Sequence, residues 1–331
     1  MTKIKFRTEV QAPAFDFTID HENQGLMMGS CFTDNIGLKL QNYKYPVLIN
    51  PFGVQYNPMS VLKGLKRIRK EAYFSGEDLM QFQGKWLSFY HDTGFSNADA
   101  EKTIEEINTS LQNACQVYEK SDYMLITFGT AWVYTFQKSG EIVSNCHKIP
   151  AKEFTRRRLT VEEITLSWEK ELNTILRERP AMQFVFTVSP VRHWKDGPFE
   201  NQLSKATLLL AIENLCNVFD QVHYFPAYEI MMDDLRDYRF YSTDLLHPND
   251  VAVAYIWERF KESFFHPNVE YLHKKLEKLR QARNHKIYSL DSSATKQFAQ
   301  KQLTYIESLE KELPRADFIE EKTYFTGLLD V

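Results

Sequence analysis

The feature that most constrains the fold is an alternation. Five short, almost wholly apolar runs, each bounded by Gly, Pro, Asn or Ser, are separated by longer stretches of helical periodicity. The runs are residues 26–28, 45–49, 123–128, 183–188 and 222–225. A strand apolar on both of its alternating faces is covered on both sides, which is the habit of a central parallel strand. Between the runs, Phe32, Ile36 and Leu40 recur at helical spacing, as do Ile104, Ile107, Leu111, Ala114 and Cys115, and then Ile164, Trp168, Leu172 and Leu176. Residues 204–219 and 251–264 complete the helical set. Strand alternating with helix predicts a three-layer α/β/α sandwich around a five-stranded parallel sheet.

The main domain is expected over residues 1–267, with insertions at about 58–97 and 132–150. The first contains Trp86, Phe89, Tyr90 and His91; the second reads as a hairpin turning at Lys138-Ser139-Gly140. Both fall where loops could wall a cleft. From Glu270 the chain is charged and helical (Leu272, Leu276, Leu279, then Leu303, Ile306, Leu309), with a turn at 289–293. Residues 268–331 thus read as a two-helix extension, used for packing or for a homodimer.

Hydrophobic residues at 43% and charged residues at 25% exclude large-scale disorder. A net charge of −4 excludes a general nucleic-acid surface. The run Arg156-Arg157-Arg158, just ahead of a Glu-containing stretch, reads as a solvated helix entrance. No pair among Cys31, Cys115, Cys146 and Cys216 has metal-ligand or redox spacing, so neither a metal nor a cofactor is expected. Residues 1–6 lack a long apolar stretch and no window approaches membrane-spanning length. A cytoplasmic protein with no membrane partner is the expectation.

In open parallel sheets, ligands bind beyond the carboxyl ends of the strands. The residues following the runs are Gly29-Ser30-Cys31, Asn50-Pro51-Phe52-Gly53, Gly129-Thr130-Ala131-Trp132, Ser189-Pro190-Val191-Arg192-His193 and, further on, Asp244-Leu245-Leu246-His247-Pro248. A carboxylate and an imidazole three residues apart can meet within one turn, where Asp244 would orient His247 and stabilise its cation. Read alone, the same pair could be ordinary polar residues at a helix start, where Asn249 or Asp250 can cap. A glycine turn into a helix favours an anion, which makes Ser30 and Cys31 candidate nucleophiles. A buried, inert Cys31 is the plain alternative. Arg192 and His193 could bind an anionic substrate group, and Asn50 and His147 are further candidates. Asn201 and Lys205 lie near this loop without a clear role.

These five blocks, in this order, resemble the GSCFA family, which is placed among the SGNH/GDSL-like hydrolases. The resemblance covers about residues 20–265. It implies a flavodoxin-like α/β/α fold and ester or acyl chemistry. The superfamily's first block, Gly-Asp-Ser, laid on Gly29, puts the nucleophile slot on Cys31 and the aspartate slot on Ser30, which favours Cys31 over Ser30. The oxyanion hole would use the N–H groups of Cys31 and Gly53, together with Gly129 and Thr130 from the third block. That block is Gly-x-Asn, and Ala131 stands where its asparagine would be. Losing such a donor costs about 3–4 kcal/mol of transition-state stabilisation. Asn50, Thr130, Arg192 or His147 could replace it. The last block, Asp-x-x-His, is matched by Asp244 and His247.

The implied function is an esterase or acyl hydrolase acting on a small-molecule or glycan ester through a covalent acyl-enzyme. A low-pKa Cys31 would already be a thiolate and need His247 mainly as an acid. Two rival readings remain: an acyltransferase using the same site, and a non-catalytic binding protein on the same fold.

Overall fold

A computed structural model describes residues 7–287, 289 and 293–330. The expected start at residues 1–6 and most of the expected turn at 289–293 lie outside the described residues. Five parallel strands form the central sheet: β1 (Gln24–Gly29), β2 (Val47–Ile49), β5 (Ser121–Phe128), β9 (Gln183–Val188) and β10 (Val222–Tyr224). Their spatial order is β10-β9-β5-β1-β2. Every neighbouring pair runs parallel, in registers such as Met27 with Ile49 and Met27 with Leu125. This is the flavodoxin-like order, and its switch point falls between β1 and β5.

The strands read as apolar throughout because they feed two cores. Leu26, Met28, Met124, Ile126, Phe128, Phe184, Phe186 and Val188 face one layer, made by α2 (Pro58–Arg69), α3 (Ala100–Lys120), α4 (Val161–Glu178) and α5 (Gly197–Val218). Met27, Tyr123, Leu125 and Val185 face the other, made by α1 (Cys31–Asn42), a one-turn helix α6 (Ala227–Glu229) with the π-helical turn that follows it (Ile230–Asp234), and α7 (Asp250–Phe264). Period-two alternation sorts the side chains to the two sides. Local caps set the helix starts. Asn249 caps α7 through the N–H groups of Val251 and Ala252, and Thr160 and Glu163 form a capping box at α4.

The insertions pack on each other. A hairpin of β3 (Leu79–Phe82) and β4 (Lys85–Ser88) meets a second small sheet, β6 (Trp132–Phe136), β7 (Glu141–Val143) and β8 (Phe154–Arg158), in the order β7-β6-β8. Phe136, Val143, Ile149 and Phe154 form a satellite core with Met80, Phe82 and Phe89 against it. The basic run is therefore an edge strand and not a helix entrance. Its alternating side chains Arg156, Arg157 and Arg158 pair with Asp196, Glu163 and Glu200.

The extension has three helices where two were expected: α8 (Val269–Arg283), α9 (Ser293–Glu312) and α10 (Ile319–Gly327). Leu276, Leu279, Ile306, Leu309, Phe318 and Phe325 give it its own core. It is fastened to the main sheet at the C-terminal end of α1. Lys44 pairs with Glu321 at 2.7 Å, and the Tyr45 hydroxyl meets His273 Nε2 at 2.9 Å. Among the described residues, no helix is long and apolar enough to cross a membrane.

Candidate active site

The switch point assembles the first part of the site. β1 ends at Gly29, whose φ of 144° lies in a region closed to most side chains, and a Cβ there would sit 2.2 Å from the Thr127 carbonyl oxygen. Only glycine lets β1 and β5 remain this close as the chain turns. Ser30 then caps α1 by its backbone, its carbonyl accepting Thr33 N–H at 2.8 Å, and donates its own N–H to Thr127 O at 3.1 Å. Its Oγ is buried and has no hydrogen-bond partner among the described residues. Cys31, the first residue of α1, is half-buried. Burial and then the Asp34 carboxylate push its thiol up, while its own N–H, the Lys205 ammonium and the Phe32 N–H pull it back only in part. The thiol thus rests protonated and needs a base, in contrast to the ready-made thiolate that a helix N-terminus alone would favour.

The second part is the pair from the last block. Asp244 accepts the N–H groups of Leu246 (2.9 Å) and His247 (3.0 Å), and its Oδ2 lies 2.6 Å from His247 Nδ1. Those two N–H groups, followed by the ring, hold the Asp244 carboxyl down at about 2. Three bonds to one carboxylate fix the ring and leave Nε2 as its working nitrogen. The turn also needs Leu245 at a φ of 58°. Both side chains are nearly half exposed, at 46% and 44%. No hydrogen bond joins His247 to Ser30 or Cys31 among the described residues. The His193 ring lies beside both His247 and Tyr56, with its centroid 6.5 Å from that of His247 and 5.6 Å from that of Tyr56. Burial first, then Lys205 and His247, lower the His193 imidazole, so it is neutral at physiological pH.

The expected oxyanion donors are otherwise engaged. Gly53 N–H donates to Asn50 O at 2.7 Å, closing a turn. Gly129 and Thr130 N–H both donate to Tyr56 O, at 2.8 and 3.0 Å. Of the expected set, Cys31 N–H remains, at the start of a helix where it has no preceding carbonyl to bond. The candidates to replace the missing asparagine are committed too. Asn50 Oδ1 accepts Gly29 N–H at 2.8 Å and its Nδ2 donates to Asp34 at 2.6 Å, so it braces the turn between β1 and α1. Thr130 Oγ1 meets Ser204 Oγ at 3.1 Å and accepts Trp132 N–H. His147 is buried in the insertion layer against Ser88 O at 2.9 Å, away from the sheet edge. Arg192 donates to Asn201 Oδ1 and Pro198 O, yet still borders a cleft of about 200 Å³ beside Trp194, Tyr238, Tyr241, Leu245 and Leu246.

Lys205, which the sequence placed near this loop without a role, is the residue whose surroundings stand out. It is wholly buried, and its Nζ donates to Gly129 O (2.8 Å) and Ser189 O (2.7 Å), the main chain just beyond β5 and β9. Its neighbour Ser204 accepts Ala131 N–H at 2.8 Å. A signal was available: Lys205 is in phase with the buried Leu208 and Ile212 on α5, so an ammonium sits on the apolar stripe.

Comparison with known proteins adds the following. The GSCFA family model matches residues 25–260, and the model described as GSCFA domain protein, C-terminal domain, matches residues 276–331. No curated protein matches the chain. The chain is similar to a solved structure from Streptococcus pneumonia whose name refers to a platelet activating factor. The identity is 14% and the TM-score 0.38, over 73% of this chain and 83% of that one. With the family's two segments matched in order along most of its length, the chain belongs to the GSCFA family.

Proposed function

We propose that this protein is a hydrolase of ester bonds that works through an acyl-enzyme on Cys31. The observation that carries the reading is the Asp244–His247 pair: a 2.6 Å bond to Nδ1, locked by two backbone N–H groups, on the loop that borders the carboxyl edge of the sheet. A carboxylate held this way orients an imidazole for proton transfer at Nε2. What favours Cys31 over Ser30 is access. Cys31 is partly exposed at a helix N-terminus, whereas the Ser30 hydroxyl is buried.

In the forward reaction His247 takes the thiol proton as Sγ attacks the ester carbonyl. The tetrahedral adduct collapses, the C–O bond breaks, and His247 returns the proton to the leaving alkoxide. Water then attacks the thioester with the same imidazole as base, and Cys31 is regenerated. Substrate binding has to bring His247 and Cys31 together, since no hydrogen bond joins them among the described residues. A sugar suits the alcohol side of the ester. The rings of Trp194, Tyr238 and Tyr241 and the Arg192 guanidinium beside His247 offer flat apolar faces and a donor fork.

The test is hydrolysis of p-nitrophenyl acetate by the wild type and by Cys31→Ala, Ser30→Ala and His247→Ala. The expected result is loss in the first and third and retention in the second. Full activity in His247→Ala refutes the base, and full activity in Cys31→Ala refutes the nucleophile. Acetyl transfer to an added sugar alcohol in preference to water makes the enzyme a transferase. A wild type inert on every acyl ester tried makes the site a binding site.

A further inference from the structure

The cleft of about 200 Å³ that includes Arg192, Trp194, Tyr238 and Tyr241 is also lined by Leu245 and Leu246, from the turn that carries His247. Its other charges are matched: Arg236 pairs with Asp233, and Asp237 lies 3.8 Å from Arg239. Among the described residues no carboxylate pairs with Arg192. Its guanidinium is anchored by neutral groups at the start of α5, with Nε donating to Asn201 Oδ1 at 3.2 Å and Nη2 to Pro198 O at 3.4 Å. Asn201 is itself buried and its Nδ2 donates to His193 O at 3.2 Å, so one amide fixes both the loop and the arginine. A guanidinium has five N–H bonds, and these contacts use two of them. Both hydrogens on Nη1 and one on Nη2 remain, which is the parallel pair that grips a carboxylate. Around this fork the aromatic rings stay open to water. Trp194 is 52% exposed and Tyr238 74%, the Tyr238 and Tyr241 rings lie 5.9 Å apart, and Arg192 Cζ lies 5.9 Å from the centre of the Trp194 ring. Exposed aromatic faces gathered in one cleft mark a binding surface.

We propose that the substrate is an ester of an acidic sugar, and that Arg192 sets this specificity by holding the sugar's carboxylate while the acylated hydroxyl faces His247. The proposal rests on the acyl-enzyme reading above. In that reading the leaving alkoxide takes its proton from His247, so the alcohol half of the ester lies against the His247 turn. The cleft shares Leu245 and Leu246 with that turn, which puts Arg192 on the alcohol side. The rings of Trp194, Tyr238 and Tyr241 cover the apolar faces of the sugar, and the free edge of the guanidinium takes both carboxylate oxygens. A carboxylate fits this cleft better than a phosphate monoester. One unpaired guanidinium balances one charge, and the Asp237 carboxylate in the same cleft repels a dianion more than a monoanion.

The experiment uses the full chain and a pair of esters, an acetylated methyl glucoside and the matching acetylated methyl glucosiduronate, which differ only in carrying a hydroxymethyl group or a carboxylate. Acetate release is the readout. The wild type is expected to favour the acid about 10–100-fold in kcat/KM, with the difference in KM. Arg192→Met should bring the two esters within about twofold of each other, and Arg192→Lys, which keeps the charge but not the fork, should keep only part of the preference. High salt should narrow the wild-type preference. A wild type indifferent to the carboxylate overturns the proposal, as does a preference that survives Arg192→Met. If circular dichroism shows that Arg192→Met has not folded, Arg192→Lys decides, and a full preference there overturns the proposal. Hydrolysis of p-nitrophenyl acetate but of neither sugar ester also overturns it and leaves the hydrolase reading standing. If the wild type hydrolyses no ester at all, it is the acyl-enzyme reading that has failed. Calorimetric titration with methyl glucosiduronate and methyl glucoside then reads the cleft alone. Tighter binding of the acid, lost in the Arg192 variants, upholds the carboxylate site, and equal or absent binding overturns it.

Discussion

The two flanks of the site are built in opposite ways. On one side Ser204 and Lys205, buried to 1% and 0% exposure, bond to main-chain atoms of the loops after β5 and β9. On the other, Asp244 and His247 are nearly half exposed, and Asp244 bonds only within its own turn. That turn is tied to the body through its base. Ser242 N–H donates to His247 O at 2.8 Å, and Asn249 Nδ2 donates to Arg239 O at 2.7 Å. The contrast separates a flank held by bonds to the main chain of two loops from one held within its own turn.

The largest effect should come from the open flank. His247→Ala should lower kcat/KM about 10²–10⁴-fold. Because the ring is exposed, added imidazole should restore part of the rate; no recovery at high imidazole would show that the flank is closed in the working state. On the rigid flank, Asn50→Ala removes the acceptor of Gly29 N–H and the donor to Asp34, and leaves alanine at a φ of 43°. A loss of about 2–3 kcal/mol in urea unfolding is expected, and a loss below about 0.5 kcal/mol would show that the turn does not need its brace.

A smaller effect tests the buried cation itself. In the unfolded chain a lysine keeps its proton up to about 10.4, whereas folded Lys205 releases it near 7. Between those values the unfolded state binds more protons, so stability rises with pH. The wild type should therefore gain on the order of 1–2 kcal/mol relative to Lys205→Met between pH 7 and 8.5. A flat difference would mean that Lys205 is not a buried ammonium. The smallest effect is on the open flank. Leu245→Gly relieves a left-handed residue, a strain of about 1–2 kcal/mol, but adds entropy to the unfolded chain. Stability should change by less than about 1 kcal/mol in a melt, and a larger change would place that loop among the structural parts.

The same division explains what could be read from the sequence. The strand at 183–188 was legible to the residue because its bounds are abrupt and its faces uniformly apolar. The Asp244–His247 bond was legible because it is local; three residues of spacing nearly determine it. β8 was not, since Phe154-Thr155-Arg156-Arg157-Arg158 is a strand because β6 accepts it, with two distant carboxylates, Asp196 and Glu200, and the nearer Glu163 pairing its arginines. The oxyanion donors failed for a related reason. Block positions give a residue's place in the chain but not where its N–H points, and Tyr56 O claims two of them from a loop that no motif marks. Lys205 could be placed near its loop, but its bonds were not legible, because their partners lie 76 and 16 residues away.

One consequence of the C-terminal fastening concerns mechanics rather than chemistry. α1 is a strut about 18 Å long, with the thiol at its head and Tyr43, Lys44 and Tyr45 at its foot. The foot is bolted by Glu321 and His273. A helix is stiff along its axis, so slack at the bolt is delivered to the head undiminished. The placement of α1, and with it of Cys31 at its head, thus depends on contacts that the C-terminal helices make at its foot.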